Sequence, residues 1–211
     1  MGKRSKSGKE AARNTFVEVP CIIAFDQSYA RTGVSVAVNG KVKKVYSIDY
    51  KGLLGNTEKR WKIRDFTRKV ITMCLSKYGS NEIVVIVERL RTFTQSDSLR
   101  MGVIKSGAAL IATIVDTAME YNIRTFSVDT RAWKSRVLGD SRPIFEPIEG
   151  VSNPQKFGSV RKAIKLGFGE KMKVVSAKKK NAFTYNDDMA DAICMSLYPF
   201  TGYPYLLLLE K

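Results

Sequence analysis

Histidine is absent from this 211-residue chain. Without an imidazole there is no Ser-His-Asp or Cys-His nucleophile system and no His-ligated metal. Chemistry must then fall to carboxylates, lysines or metal-bound water. Cysteine is scarce: Cys21, Cys74 and Cys194 stand far apart in apolar surroundings. An odd count without paired spacing gives neither a disulfide framework nor a zinc site, and reduced thiols are expected in a cytoplasmic protein. Long apolar runs are missing. Residues 206–209 fall well short of a membrane span, and the basic stretch 1–9 is followed by no apolar signal core. Acids are the minority sign, 20 against 36 lysines and arginines, for a net charge of +16 and a pI of about 9.8. Such an excess suits a polyanion, whose condensed counterions are released on binding.

A chain of this length buries roughly 70% of its unfolded surface and needs no staples. It reads as one domain over residues 19–200, with a flexible basic arm at 1–18 and a tail at 201–211. Residues 21–26 form an apolar strand that ends in Asp26, and 33–39 a second. Asn39-Gly40 is a tight-turn signal, and 41–49 a third strand. This is an antiparallel meander. Helical spacing follows over 58–78 through Trp61, Phe66, Val70, Met73 and Leu75. The β-branched run 82–88 has the character of a strand buried on both faces. A long helix over 96–121 is rich in small residues. A strand at 123–128, a short helix opened by Thr130, a basic helical stretch over 155–166 and a final helix over 187–197 complete the pattern. The expected fold class is α/β: a mixed five-stranded sheet, three antiparallel strands and then parallel ones, flanked by helices.

Against the basic background, Asn186-Asp187-Asp188-Met189-Ala190-Asp191-Ala192 packs three carboxylates into five residues. Oxygen ligands of this kind suit a divalent metal. Asp188 and Asp191 lie three residues apart and share a helix face, as do Asp187 and Asp191 at four. Asp26 and Glu88 end apolar strands, the place where open α/β sheets put ligands. A charge there is costly unless paired or metal-bound. Simpler roles exist for each acid: Asp187 or Asp188 as a helix cap, Asp26 bonded to a turn at Ser28 or Thr32, Glu88 paired with Arg89 or Arg91. The four together favour a metal site.

Asp26 with Thr32-Gly33, then Val87-Glu88, then Asp188-Met189-Ala190-Asp191-Ala192 resembles, block by block and in order, the RuvC family of Holliday-junction resolvases. Leu99-Arg100-Met101-Gly102 is similar to that family's dimer-helix segment, and Trp133-Lys134 with Val137-Leu138-Gly139 to its basic segment. The resemblance spans residues 21 to about 198. It implies an RNase H-like fold and metal-dependent phosphodiester hydrolysis with two Mg²⁺ per active site, Mn²⁺ able to substitute. Asp26, Glu88, Asp188 and Asp191 would be the ligands and catalytic acids. Asp187 would be a cap, and Lys134 either a phosphate contact or a solvated helix lysine. The implied partners are four-way DNA junctions and a second copy of the chain, paired through the 96–121 helix. The chain departs from the family pattern. Ala24-Phe25-Asp26-Gln27-Ser28 replaces the usual Gly-Ile-Asp-Pro-Gly, Arg91 stands where an aromatic often follows the Glu with Phe93 two further, and 140–156 looks like an insertion. These departures fit a phage or other viral member working in the host cytoplasm. Other readings share the acids: an RNase H-like nuclease for flaps, branched DNA or RNA–DNA hybrids, or a non-catalytic junction-binding protein. A sugar-kinase-like ATPase also opens with an Asp strand and a Thr-Gly turn, but no further glycine-rich phosphate loop follows here.

Overall fold

The computed structural model describes residues 20–28, 30–53, 55–90, 98–139, 145–175, 182–202 and 206–209, with backbone only at 98–104 and 207. The expected N-terminal arm, Arg91 and Phe93 lie outside the described residues. Among these residues no helix is long and apolar enough to cross a membrane.

The meander forms as expected. Strand β1 (Cys21–Gln27) pairs antiparallel with β2 (Arg31–Val38), and β2 with β3 (Lys41–Asp49). Asn39 and Gly40 take the positive φ values, 48° and 72°, of a two-residue hairpin turn. Helix α1 (Asn56–Leu75) leads to β4 (Ile83–Glu88), which pairs parallel with β1. Helix α2 (Ser98–Met119) leads to β5 (Arg124–Val128), parallel to β4. Then come α3 (Thr130–Leu138), a 3₁₀ turn at Pro154–Lys156, α4 (Phe157–Lys165) and the short α5 (Gly169–Met172). A small hairpin, β6 (Lys173–Val175) with β7 (Phe183–Tyr185), precedes α6 (Asp187–Leu197). Leu207–Leu208, in the segment read as a tail, forms β8 and pairs antiparallel with β5. The sheet therefore gains a sixth strand at its edge, in the order β3-β2-β1-β4-β5-β8.

Alternation along the strands sends side chains to two faces. Cys21, Ile23 and Phe25 join Ile83, Val85 and Val87 under α1 and α2, where Ile63, Ile71, Leu110 and Ile114 close the core. Ile22 and Ala24 join Val84 and Ile86 on the other face, under α3 and α6, against Trp133, Cys194, Met195 and Tyr198. The same alternation carries on one step. Asp26 follows Ile22 and Ala24, Glu88 follows Val84 and Ile86, and both acids face α6. Because β1 and β4 pair in parallel up to Phe25 and Val87, the two carboxylates sit side by side at the carboxyl edge of the sheet.

Two caps differ from expectation. Asp129, not Thr130, caps α3 by accepting from the Arg131 amide at 2.8 Å. Asn186, not Asp187, caps α6 by accepting from the Met189 amide at 3.1 Å. In both cases the side chain one residue earlier has the extended backbone that a cap requires.

Candidate active site

The Thr32-Gly33 pair decides where the last helix sits. Thr32 is buried and its hydroxyl shares a 2.8 Å hydrogen bond with that of Tyr50. Gly33 lies opposite Asp26 in the hairpin register. A Cβ built on Gly33 would fall 2.1 Å from the Asp188 carbonyl oxygen and 2.5 Å from the Met189 nitrogen. Any side chain there would drive the start of α6 off the sheet. Without one, α6 lies directly on β2 and β1. Asn186 bolts its first turn to β3 through a 2.8 Å hydrogen bond to the Ser47 hydroxyl, and Ser196 secures its far end to Ser35 at 2.9 Å. Asp188 and Asp191 are thereby lowered, buried, toward Asp26.

All four sequence-predicted acids meet at this edge. The carboxyl of Asp26 is pushed well above its usual range, first by burial, then by the charge of Glu88, with further upward pressure from Asp191 and Asp188 and an opposing pull from Lys156. Asp188 is raised to about 6, again chiefly by burial; Lys156 and Arg31 work against the shift, and Asp187 adds to it. Its Oδ2 accepts from the Ser28 hydroxyl at 3.2 Å and pairs with Arg31 Nε at 3.1 Å. Ser28 thus serves Asp188 rather than Asp26. Glu88 Oε1 accepts from Trp133 Nε1 at 3.2 Å, and Gln27 donates to the Glu88 carbonyl at 2.9 Å. Among the described residues the side-chain partner of Glu88 is this indole; Arg91 lies outside them.

Lysine 156 is the residue that sequence reasoning missed. Its ammonium lies 2.5 Å from Asp191 Oδ2 and 3.9 Å from Asp26 Oδ2. Burial works against this charge, but the charges of Asp191 and Asp26 and the hydrogen bond to Asp191 outweigh it, and the net shift is upward. Lys134 is buried rather than solvated. It is 9% exposed, its ammonium donates to the Gln155 carbonyl at 3.1 Å and lies over the Trp133 ring. It is neither a solvated lysine nor a member of the acid cluster; it clamps the backbone beside Lys156.

Among the described residues no three carboxylates stand close enough to share one ion as they are. The donor set nevertheless suits a hard cation. Asp191 Oδ1 is buried with no hydrogen-bond partner, burial and the charges of Glu88, Asp191 and Asp188 raise the cost of ionising Asp26, and the Lys156 ammonium already stands between Asp26 and Asp191 as a cation would. Asp26, Glu88, Asp188 and Asp191 are the residues that would hold divalent ions.

No protein-family model matches the chain, and no curated protein sequence does. Solved structures do. Thermus thermophilus RuvC superposes with a TM-score of 0.56 at 14% identity, covering 89% of this chain and 99% of that one. The same organism's RuvC in complex with Holliday junction substrate gives 0.55 at 12% identity, with the same coverage. The chain has the fold of RuvC, an RNase H-like mixed sheet with helices on both faces.

Proposed function

We propose that this protein is a structure-selective DNA endonuclease that resolves four-way junctions by metal-dependent phosphodiester hydrolysis. The observation that carries the reading is the convergence of Asp26, Glu88, Asp188 and Asp191 at the carboxyl edge of a RuvC-like sheet, within a chain of net charge +16.

Two Mg²⁺ ions held by these acids would supply the Lewis acidity that activates water and steadies the departing 3′ oxygen, with Mn²⁺ able to substitute. The chain's own residues prepare the place. Trp133 fixes one oxygen of Glu88. Arg31 and Ser28 fix one oxygen of Asp188. Burial keeps the carboxylates poorly solvated, so they gain more from a cation than exposed acids would. Lysines and arginines over the surface would grip the phosphate backbone. Lys134 acts as a positioning residue, through the turn it clamps.

Two symmetric cuts at a junction call for two sites related as the cleaved strands are, which a two-fold dimer provides. The free face of α2 exposes Lys105, Ala108 and Ala112, and small residues there permit close approach of a second copy. The acids would serve equally in recombination or in the processing of a phage genome.

The test is cleavage of a synthetic four-way junction in Mg²⁺ with the cut positions mapped, beside flap, duplex and RNA–DNA hybrid substrates. Paired symmetric cuts in the junction are expected. Asp26→Asn and Glu88→Gln should lower cleavage by at least ~10³-fold, the scale of losing an electrostatic catalytic group, while junction binding by gel shift persists. Full cleavage by either variant removes the assignment. Preference for a flap or hybrid redirects it to another RNase H-like activity.

A further inference from the structure

Lysine 156 holds the centre of the acid cluster, yet an ammonium cannot ligate a metal. Its backbone is fixed on both sides. Asn153 accepts from the Gln155 amide at 3.0 Å, Lys134 clamps the Gln155 carbonyl at 3.1 Å, and Phe157, Ser159, Val160 and Ala163 of α4 are buried. The side chain is the movable part. It is long, and at 20% exposed it opens to solvent. Its ammonium bonds Asp191 Oδ2 and faces Asp26 Oδ2, two of the oxygens a divalent ion would take. Two cations cannot share those oxygens at close range without strong repulsion. Asp191 Oδ1 meanwhile has no donor, and the acids do not close on a common point. Each of these facts follows if the cluster is arranged around a lysine that must leave before an ion is seated.

A departing ammonium needs an anion to receive it. In a DNA complex the nearest is a backbone phosphate, for which a lysine is a suitable point-charge partner. We propose that Lys156 is a resident cation that keeps the acids assembled in the free protein and cedes them to a divalent ion when a DNA phosphate draws its ammonium outward, so that metal and DNA bind cooperatively. The proposal rests on the nuclease reading. Coupling of this kind is reciprocal: DNA raises affinity for the ion by the same factor as the ion raises affinity for DNA. The free protein then stays poorly loaded, and the hydrolytic site is completed on substrate.

The experiment measures Mn²⁺ binding to the full chain by electron paramagnetic resonance, with and without a four-way junction carrying phosphorothioate linkages that resist cleavage. Wild-type protein should bind Mn²⁺ about tenfold or more tightly with the junction present, within the usual range of allosteric coupling. Lys156→Met should bind Mn²⁺ about tenfold more tightly than wild type without DNA and lose the coupling, whereas Lys156→Arg, which keeps the charge, should retain it. The wild-type measurement stands even where a variant fails to fold. Independent binding of ion and junction by wild type overturns the proposal and leaves the nuclease reading intact, as does Lys156→Met that binds the ion no better than wild type. Failure of wild type to bind Mn²⁺ under any condition overturns both.

Discussion

Glycine 33 shows how much one missing side chain can decide. The space its Cβ would need is filled by the backbone of Asp188 and Met189, and backbone cannot step aside as a flexible side chain can. Gly33→Ala is expected to lower stability by about 3 kcal/mol, at the upper end of overpacking costs, as read from urea unfolding. It should also weaken Mn²⁺ binding, since α6 carries two of the acids. An alanine variant of wild-type stability would show that α6 need not lie so close. The acids themselves set a pH dependence. Burial raises the folded-state pKa of Asp188 to about 6, while in the unfolded chain it stays near 4. Between those values the folded state holds the extra proton, so stability without divalent ions falls as pH rises through that window. Asp26, whose carboxyl is also raised by burial and by the charge of Glu88, acts in the same direction. Asp26→Asn should therefore melt higher than wild type at pH 8, by roughly 2–4 °C for each kcal/mol relieved in a chain this size. Calorimetric scans across pH 4 to 8 check both, and stability that rises over that range would contradict the burial of these groups.

At the scale of elements, legibility in the sequence followed the length of the repeating signal. The five main strands and the long helices have period-2 or 3.6 patterns, and their observed limits lie within a few residues of expectation. Strands β6 and β7 have three residues each and β8 has two; no periodicity can show in so short a run, and only their partners define them. The clustered acids were readable for the same reason. Alternation in 22-24-26 and 84-86-88 places Asp26 and Glu88 on one face, and helical spacing does so for Asp188 and Asp191. Lys156 was not readable. It follows an irregular stretch, opens a helix whose other lysines and arginines are half-buried or exposed, and is one of 36 basic residues. Its partners Asp191 and Asp26 come from elements remote in sequence, so its role exists only once α4 has packed on α6. Trp133 read as an apolar helix position; that its indole also donates to Glu88 depends on α3 lying over β4. Asn186, which both caps α6 and ties it to Ser47, was visible as a cap type but stood beside two aspartates that fit the same role.

For the molecule as a whole, the fold is shared with Thermus thermophilus RuvC at 14% identity, as it can be where core positions need volume and alternation more than particular side chains. The proposed dimer belongs to this scale. Besides the small-residue face of α2, the neighbouring α1 leaves Trp61 64% exposed, a large aromatic surface that a monomer gains nothing by showing to water. Sedimentation equilibrium at micromolar concentration should return twice the 23.7 kDa mass of the chain, and Trp61→Lys should shift it toward monomer. A wild-type protein that stays monomeric at that concentration would require the two cuts at a junction to be made in succession by separate molecules.

Trp133 is fully buried with its indole N–H on a Glu88 oxygen, and Trp61, the chain's other tryptophan, faces solvent. The molecule thus contains its own pair of optical reporters. In the monomer iodide should quench Trp61 and spare Trp133, and a dimer formed over α1 should shield Trp61 as well. The emission that survives should come from the indole hydrogen-bonded to Glu88. Events at the proposed hydrolytic site should then be visible in the unlabelled protein, in real time, through the residue that holds Glu88 in place.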